Sequence, residues 1–478
     1  MITFNGNIVQ FGFGAVGKSF FEKISKEIKF DEYKYYVITR DKGEFEAYIN
    51  LGGVSSNFIV ASIDRENWKD IFSKYLKEGD LLIDFADSVG TRDFVEWCAE
   101  ENIMYLNTGE TDWGDHWYSI FEENEKKVLL KETYKNKKDK NKYPIVLQHG
   151  NNPGLVSHFV KAGIDYILNT QFKKDKNLKK LAKENKYNEV AKILGIKMIH
   201  VNDIDLQEVK DEFKDNLLIS PWCVDSFWFE MLSEATFNVG THEQIDYKEE
   251  SNLYNIDKGY FEFKQLAIDT KCCTYYPDGK FEGYMVPHEE TITIAKSLEV
   301  KEDEKVVYRP SVMFLYSPCK YAREFLEKSK GKEGKEVIRG YAYPDDWEIL
   351  YLEKISSGTE YVGVLILGDG FNPVWVGNRI ERSFLTKDKK SSFWQTPTIT
   401  PVAMSALSGI CWMLKNKEKG GIYFPDDIMD YSHILKIAEK YISKTIYKTF
   451  TKEEIEKSLG IELSSPQTKN LFEKRREL

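Results

Sequence analysis

Residues 220–230, SPWCVDSFWFE, combine two side-chain types that bind positive charge. The indole face of Trp222 could hold a cation through its ring quadrupole, an interaction worth on the order of 0.5–2 kcal/mol depending on desolvation. The carboxylate of Glu230 could add charge pairing. The composition of this segment by itself favours a buried part of the hydrophobic core. A cation-binding site and a core segment are therefore the two interpretations of residues 220–230.

Two further segments carry groups suited to proton transfer or to binding an ammonium group. His288 lies beside an acidic pair in PHEETITI, where an imidazole could move protons near neutral pH or could simply be hydrogen-bonded at the start of a strand. Asp203, in NDIDLQ, follows a predicted strand at 197–201. A carboxylate at a strand end can meet an ammonium group or lie in a solvated turn.

Residues 149–158, HGNNPGLVSH, contain glycine and asparagine residues that permit unusual backbone angles, and Pro153 fits the first turn of a helix. One interpretation is a helix start with no catalytic role. The other is that the side chain of Asn152 points into a cleft between two domains.

A glycine-rich turn near the N-terminus predicts a dinucleotide site. The first glycine of such a G-x-G-x-x-G motif makes a tight turn, the second lets a pyrophosphate approach the backbone, and the third lets helix and strand pack closely. The phosphates then rest on the N-terminus of the helix, where free N–H groups and the dipole favour an anion. Because the motif lies between a predicted strand at 7–11 and a predicted helix at 19–28, it indicates dinucleotide binding rather than a structural turn. Its residues are Gly12, Gly14, Ala15, Val16 and Gly17.

The acidic residue expected at the end of the second strand is missing from its usual place, since the chain there reads VITRD over residues 37–41. Asp41 could still bind a ribose hydroxyl, which fits NAD. Arg40 could meet a 2′-phosphate, which fits NADP, or could be a solvated surface residue. NAD and NADP therefore stay alternatives on the residues alone.

The elements that position these groups suggest an α/β protein of two domains. Strands and helices alternate over the first 150 residues, which predicts a Rossmann-type domain with a doubly wound parallel sheet. Strand-like stretches dominate from about 196 to 366, with alternating residues at 291–294 and 361–366. They predict a second, α+β substrate domain with a large mixed or antiparallel sheet. A helix predicted over 400–414 should pack back on the first domain. The predicted domains are 1–150, completed by about 395–478, and 151–394.

Bulk properties exclude several classes of function. The 478 residues carry a net charge of −10, which disfavours nucleic acid as a partner because phosphate binding needs a positive face. No apolar run approaches the roughly 20 residues of a membrane span, and the N-terminus lacks a signal segment, so we expect no membrane partner and a cytoplasmic location. The six cysteines form no C-x-x-C pair, and we expect free thiols and no metal.

Six motifs follow one another along the chain: GFGAVGK, HGNNPGLVSHFVKAG, IHVNDIDLQ, PWCVDSFWFE with GTHE, PHEETITIA and GVLILGDGFNPVWVG. Any one of them is unspecific. Together they resemble bacterial-type homospermidine synthase, a family of the saccharopine-dehydrogenase-like group, in the family's order and over nearly the whole chain.

The resemblance implies an NAD-dependent enzyme with a redox-neutral reaction. Putrescine would be oxidised, the imine would lose ammonia on attack by a second amine, and the new imine would be reduced by the same NADH to homospermidine. The implied partners are putrescine and, as a further candidate, spermidine. The family's habit suggests a homodimer.

Site roles follow from the same motifs. Trp222 looks like the family's cation–π tryptophan, Glu230 like the carboxylate beside the reacting centre, and His288 like a third catalytic residue. Asp203 stands where the family has a glutamate, and Glu360 where it has an aspartate. The expected substrate-binding residues are Asp87, Glu110, Asn152, Asp203 and Glu360; of these, Glu110 adjoins Thr111, which aligns with a family glutamate.

The chain departs from the family around the expected amine pocket. The family's T-W-S reads Pro221-Trp222-Cys223, and its Q-P-A-E-L-G-W-G reads SEATFNVG over residues 233–240. These changes put the exact amine in question more than the reaction class. The alternative is a related NAD(P)H-dependent reductive condensing dehydrogenase of the carboxynorspermidine or saccharopine type. Its carboxylate substrates would require a lysine or arginine, which the segment from Trp222 to Glu230 lacks.

Overall fold

The protein is known from a computed structural model that describes residues 1–86, 89–109, 111–113, 119–135, 137, 139–244, 251–386, 394–468 and 471. The chain divides into two compact units. The first comprises residues 1–155 and 385–442, and the second comprises residues 156–384 and 443–478. No helix among the described residues is long and apolar enough to cross a membrane.

The strands and helices follow in chain order. Up to residue 154 they are β1 (Ile2–Thr3), β2 (Ile8–Phe11), α1 (Ala15–Glu27), β3 (Ile28–Lys29), β4 (Tyr35–Thr39), α2 (Phe45–Asn50), β5 (Phe58–Val60), α3 (Trp68–Phe72), β6 (Leu81–Asp84), α4 (Thr91–Glu101), β7 (Met104–Asn107), α5 (Ile120–Lys135) and β8 (Pro144–Val146). From 155 to 299 they are α6 (Leu155–Thr170), α7 (Lys176–Lys183), α8 (Tyr187–Leu194), β9 (Ile196–Asp205), β10 (Glu208–Val209), β11 (Leu217–Ser220), α9 (Val224–Leu232), β12 (Glu234–Asn238), β13 (Ser251–Asn255), β14 (Tyr260–Leu266), β15 (Lys271–Tyr276), β16 (Gly279–Met285) and α10 (Glu290–Ser297). From 300 onward they are β17 (Val300–Glu302), β18 (Lys305–Tyr308), β19 (Ser311–Ser317), α11 (Lys320–Ser329), β20 (Val337–Ile338), β21 (Tyr341–Ala342), β22 (Asp346–Ile349), β23 (Ile355–Ser357), β24 (Thr359–Gly368), β25 (Val374–Glu381), α12 (Arg382–Leu385), α13 (Ile399–Lys415), β26 (Gly421–Tyr423), α14 (Tyr431–Ala438), β27 (Ile446–Thr449) and α15 (Lys452–Leu459).

The first unit is built on a seven-stranded parallel sheet in the order β26-β8-β7-β6-β2-β4-β5. Its middle strands β2 and β6 are short, mostly apolar and buried at every residue, as a parallel strand covered on both faces must be. Strand order reverses beside β2, so the carboxyl ends of β2 and β6 flank the switch point at which such sheets bind ligands. The predicted Rossmann-type sheet is confirmed.

Helix α13 packs on α1 and on β7 of the same unit. It is buried over most of its length, because ITPVAMSALSGICWMLK is apolar or small on nearly every side. Gly409 lies where a Cβ atom would be 2.9 Å from a side-chain carbon of Leu106, so the helix approaches the sheet closely. The helix expected over 400–414 is therefore present and lies in the first unit.

The second unit is built on a ten-stranded mixed sheet. Its main path is β13-β14-β12-β19-β9-β24-β25-β27, and β16 joins it by pairing with both β15 and β19. Strands β9 and β19 are parallel, whereas β24 is antiparallel to β9. The predicted large mixed sheet of the second domain is confirmed.

Strand β9, at the centre of this sheet, has two different faces because successive side chains point to opposite sides. Met198 and Ile204 belong to the hydrophobic core on one face, together with residues of β19 and β24. Asp203 and Asp205 point to the opposite face. The sheet is thus apolar on one side and acidic on the other at this end of β9.

The C-terminal segment is where the predicted domains need correction. Residues 395–478 were expected to complete the first domain, but residues 443–478 belong to the second unit. The cause is strand β27, which pairs with β25 and so extends the mixed sheet.

Two local predictions were also wrong. Residues 291–294, expected as a strand, lie in helix α10, whose residues 290–295 are all buried. Because α10 is buried on every side, its sequence lacks the apolar and polar periodicity of a surface helix. The alternation of threonine and isoleucine therefore did not distinguish a helix from a strand. Asp203 was expected after a strand ending at 201, but β9 continues to Asp205, so Asp203 is a buried strand residue and not part of a solvated turn.

Candidate functional site

The turn between β2 and α1 has the geometry that a dinucleotide pyrophosphate requires. Gly12 has a φ of +89°, and a Cβ atom there would lie 2.9 Å from the carbonyl carbon of Phe85. At Gly17 a Cβ atom would lie 2.5 Å from the carbonyl oxygen of Gly12. The first and third glycines of the motif therefore allow a left-handed turn and a close contact between strand and helix.

Gly14 differs from both, since a Cβ atom there would meet no heavy atom of the described residues within 4 Å. It is the N-cap of α1, and none of the described side chains caps that helix. The N–H groups of the first turn and the positive end of the helix dipole therefore lie beside a Gly14 that adds no side chain of its own. An anionic pyrophosphate fits this place, with the backbone of Ala15 and Val16 supplying N–H donors.

Asp41 follows β4, at the edge of the sheet where a ribose would lie. Its Oδ1 atom accepts a 2.7 Å hydrogen bond from the N–H of Gly43. This bond caps the short 3-10 turn at residues 42–44, and both Asp41 and Arg40 are exposed. The Asp41 carboxylate is thereby held in place at the carboxyl end of β4.

His288, in the second unit, lies between two carboxylates. Its Nε2 atom is 2.9 Å from Oε1 of Glu230 on α9, and its Nδ1 atom is 2.7 Å from Oε2 of Glu290 on α10. The ring stacks on Phe314 of β19 with 4.0 Å between centroids. Three separate elements thus fix the imidazole in position and orientation.

Burial and charge act in opposite directions on these groups. Burial alone would lower the pKa of His288, but the adjacent carboxylates of Glu290 and Glu230 outweigh it and hold that pKa well above its ordinary value. Burial raises the pKa of Glu230, and only part of this effect is offset by His288. The cluster therefore keeps a proton on the imidazole and leaves Glu230 as a carboxylate that readily takes one up.

Trp222 precedes α9 and is positioned by its neighbours on the same side of the sheet. The indole N–H donates to the hydroxyl oxygen of Tyr316, and the ring lies edge-on to Phe227 at 6.3 Å. Tyr316 and Phe314 are alternate residues of β19 and share a face. Trp222 and His288 therefore lie over the same face of the mixed sheet.

Buried carboxylates occupy the adjoining part of this face. Asp203 and Tyr316 are partners in register on β9 and β19, and Asp205 and Glu360 are partners on β9 and β24. Asp203, Asp205 and Glu360 are exposed by only 6%, 2% and 1%. Burial, followed by Asp203 and Asp205, raises the pKa of the Tyr316 hydroxyl well above its ordinary value, which shows that both carboxylates act on it.

The structure brings together some of the predicted residues and separates others. Trp222, Glu230, His288, Asp203 and Glu360 all lie over one face of the sheet in the second unit. Asn152 belongs to the first unit, just before α6, and is partly buried there. Asp87 and Glu110 lie outside the described residues.

Several residues of this face were missed by sequence reasoning. Phe314 and Tyr316 lie in SVMFLYS, whose seven residues are all buried, so no alternation separates their face from the core. Asp205 could have been found, because it lies two residues after Asp203 and a strand places such residues on the same side. Glu290 could have been found only if α10 had been recognised as a helix.

His288, Glu289 and Glu290 also have ligand atoms within 4.8 Å of one another, a spacing that a metal ion could use. Both ring nitrogens of His288 are, however, bound to carboxylates. A protonated imidazole has no lone pair for a metal. The geometry of this cluster is that of an ion pair.

Known proteins resemble the chain over most of its length. Residues 8–145 match the family described as saccharopine dehydrogenase NADP binding domain. Curated homospermidine synthases from Mesorhizobium japonicum and Blastochloris viridis are 25% and 26% identical to the chain. The alignments cover 91% and 92% of this chain and 89% and 91% of those proteins.

A crystal structure shows the same fold. The homospermidine synthase from Legionella pneumophila in complex with NAD superposes with a TM-score of 0.80 at 23% identity, and the match covers 94% of this chain and 92% of that one. The motif-based resemblance to homospermidine synthase and to the saccharopine-dehydrogenase-like group is thus confirmed, across about nine-tenths of the chain by sequence and across both units by fold.

Proposed function

We propose that the chain is a homospermidine synthase that uses NAD. One putrescine is oxidised at the carbon bearing an amine, a second putrescine adds to the imine and ammonia leaves, and the secondary imine is reduced to homospermidine. NAD, held at the glycine-rich turn between β2 and α1, would supply the hydride acceptor for the first half of the reaction and, as NADH, the hydride donor for the second. The proposal is carried by the similarity of the chain, over most of its length, to curated homospermidine synthases. The acidic and aromatic sheet face, which suits cationic amines, agrees with it.

Glu230 and His288 manage protons at the reacting amine in this proposal. An ammonium group must lose a proton before a hydride can leave the adjacent carbon. Glu230 is suited to accept that proton because burial raises its pKa. His288, kept protonated by Glu290 and Glu230, returns a proton to the departing ammonia.

Trp222 stabilises the positive charge of the imine. Its indole is held by the hydrogen bond to Tyr316, so the ring face needs no reorganisation when the cation forms. Cation–π attraction of roughly 0.5–2 kcal/mol, applied to an iminium ion more strongly than to a neutral amine, favours the charged intermediate.

The substrate's second ammonium group binds to carboxylates in the proposal. Asp203 and Glu360 are buried on the same face, and an ammonium group is the natural counter-charge for them. Asn152, Asp87 and Glu110 remain proposed substrate-binding residues by family resemblance. Spermidine is a further candidate donor because it carries the same aminobutyl group.

The cofactor is NAD rather than NADP in this proposal. The matched domain family is named for NADP, whereas the Legionella pneumophila structure contains NAD. Asp41 favours NAD, because a carboxylate beside the ribose repels a 2′-phosphate. A dissociation constant for NAD well below that for NADP, measured by intrinsic tryptophan fluorescence, is the expected result.

We also propose, on family resemblance, that the protein is a cytoplasmic homodimer. A single species of twice the chain mass in light scattering after gel filtration is expected.

The alternative, a dehydrogenase that condenses carboxylate-bearing substrates, is not favoured because the described residues around Trp222 are acidic and aromatic.

Product analysis tests the proposed reaction. Purified protein incubated with putrescine and catalytic NAD should form homospermidine and ammonia in equal amounts, with no net accumulation of NADH. Trp222→Leu and Glu230→Gln should lower turnover by about tenfold or more while leaving NAD affinity nearly unchanged. Asp303→Asn, the same kind of acid-to-amide change at an exposed loop position, is the control and should behave as the parent protein.

No product from putrescine or any other diamine would exclude this function. Net consumption of NADPH with an amino-acid substrate and an aldehyde would support the alternative dehydrogenase. Full turnover in both variants would show that Trp222 and Glu230 are ordinary core residues.

A further inference from the structure

Asp205 is a buried carboxyl group for which the proposed mechanism gives no role. Its Oδ1 atom accepts hydrogen bonds from the backbone N–H of Gln207 at 2.8 Å and from the side-chain amide at 2.9 Å. Its Oδ2 atom is buried, and no described residue donates to it. A buried carboxylate oxygen without a donor costs free energy of folding unless a proton or a cation binds to it.

The register of the sheet shows which group Asp205 faces. Asp205 and Glu360 are directly opposite one another on the antiparallel strands β9 and β24. Such partners have Cβ atoms about 4.5–5.5 Å apart on the same side of the sheet. Asp205 and Glu360 are therefore acidic side chains on the same side of the sheet, and like charges directly opposite one another are destabilising.

The charged and titratable groups around Asp205 include a carboxylate, a phenol, a thiol and a guanidinium group. Asp203 lies one pleat away on β9, and the hydroxyl of Tyr316 on β19 faces both aspartates. Cys319 donates a backbone hydrogen bond to Asp205, and Arg323 of α11 acts on the Cys319 thiol. Arg323 also donates to the Ser317 hydroxyl at 3.5 Å. By distance and angle, Oδ2 of Asp205 has no hydrogen-bond donor among the described residues.

Burial raises the pKa of Asp205 to about 7, although hydrogen bonds from Gln207 and Cys319 oppose the rise. A group with this pKa is partly protonated at neutral pH. A bound cation would replace the proton, because it satisfies the same oxygen and removes the repulsion within the pair.

We propose that Asp205 and Glu360 form a carboxyl pair that shares one proton in the absence of substrate and exchanges it for a primary ammonium group of an aliphatic diamine or polyamine. The inference rests on the proposed function and deepens it. The exchange is balanced: one ammonium group enters with its charge, one proton leaves to solvent, and the charge of the pair with its occupant is unchanged. Asp205 is thereby a substrate-binding residue, and amine affinity becomes dependent on pH.

Calorimetry of putrescine binding to the NADH-loaded protein tests this exchange. NADH cannot oxidise the amine, so binding is measured without turnover. Titrations in two buffers with different ionisation enthalpies give the number of protons released. We expect release approaching about one proton per putrescine near pH 6, declining as the pH rises above about 7, where the pair has already lost its proton.

Asp205→Asn should remove this proton release and weaken the dissociation constant for putrescine by about tenfold or more, as the loss of a charge-assisted hydrogen bond predicts. The amide can keep the hydrogen bonds from Gln207, so the fold is retained. For butylamine, which has a single ammonium group, the loss of affinity should be smaller. Asp303→Asn is the matched control, and His288→Gln shows whether the released proton comes from the imidazole instead.

The inference is overturned if Asp205→Asn binds putrescine with parental affinity and parental proton release, or if the release disappears only in His288→Gln. The proposed function can fail separately. A protein that forms no homospermidine but binds a diamine with Asp205-dependent proton release would lose the proposed function and keep the carboxyl pair. A homospermidine-forming protein with unaltered binding in Asp205→Asn would keep the function and lose the pair.

Discussion

At the scale of the residue, His288 shows how two neighbours can outweigh burial. Desolvation favours the neutral imidazole, and the two carboxylates together outweigh that effect. Glu230 and Glu290 bind different ring nitrogens, so together they hold the charged form and fix the orientation of the ring. Glu290 is 1% exposed at its side chain and binds Nδ1 of His288, through which it acts on the reacting amine, so it is a positioning residue.

Glu290→Gln should therefore lower the pKa of His288 and move the alkaline limb of the profile of kcat against pH to lower pH, because His288 acts in its protonated form. In the parent protein the folded pKa lies above the unfolded value of about 6.5, so the ion pair stabilises fully below about pH 6.5 and this stability is lost as the pH rises through the folded pKa. The variant should lose stability most below pH 6.5. Side-chain ¹⁵N spectra of the histidines and unfolding at several pH values measure both effects; an unchanged histidine titration would contradict them.

The sequence predicted part of this residue-level picture. Trp222, Glu230 and His288 were chosen because their motifs match a family, while composition and spacing left each of them open. Glu290, Tyr316 and Asp205 were not assigned, because their roles depend on which strands pair and on which helix lies over the sheet. Such information resides in long-range contacts, which a local pattern does not contain.

At the scale of the element, a local prediction was correct where the residue types of the segment have a specific steric requirement. It was wrong where the structure depends on burial by distant segments. The strand, turn and helix around Gly12–Gly17 were predicted because each glycine has a separate steric reason. Helix α10 was missed because TITI reads as a strand when its burial is unknown. The end of β9 was misplaced because acidic residues are rare inside a strand, and these are kept there by a polar face that local sequence does not reveal.

The glycine turn gives a test at this scale. Gly14→Ala should leave thermal stability nearly unchanged, because its Cβ meets no described heavy atom within 4 Å, yet weaken NAD binding by about tenfold or more. Gly17→Ala places a Cβ 2.5 Å from the carbonyl oxygen of Gly12 and should cost roughly 1–3 kcal/mol of stability. Calorimetric unfolding and NAD titration separate the two. Equal loss of stability in both variants would show that Gly14 is needed for packing rather than for the cofactor.

At the scale of the whole molecule, the chain combines a net charge of −10 with a proposed substrate that is a dication. A negative protein attracts such a substrate over distances set by ionic strength. Fold class and the two sheets could be predicted from the alternation of strands and helices. The assignment of residues 443–478 could not, because only the pairing of β27 with β25 decides it.

We expect kcat/KM for putrescine to fall several-fold as salt rises from about 0.01 M to about 0.15 M, because the Debye length shortens from about 30 Å to about 8 Å. Turnover at saturating putrescine should change little, since buried ion pairs are screened much less. The measurement is an initial-rate series at constant pH, with a neutral osmolyte as control. Equal sensitivity of kcat and kcat/KM would point to salt acting on the fold instead of on the approach of the substrate.

The acidic face of β9 also sets a length scale. Along a strand, side chains on one side recur at intervals of roughly 7 Å, so Asp203 and Asp205 mark off one such interval beside Trp222 and Tyr316. Moving a carboxylate by two positions along β9 displaces it by one such interval. The opposite, apolar face, which contains Met198 and Ile204, is unchanged. A site for longer or shorter diamines can therefore be designed by exchanging residues on one side of a single strand. Inserting one residue would instead place the carboxylates on the face of the hydrophobic core.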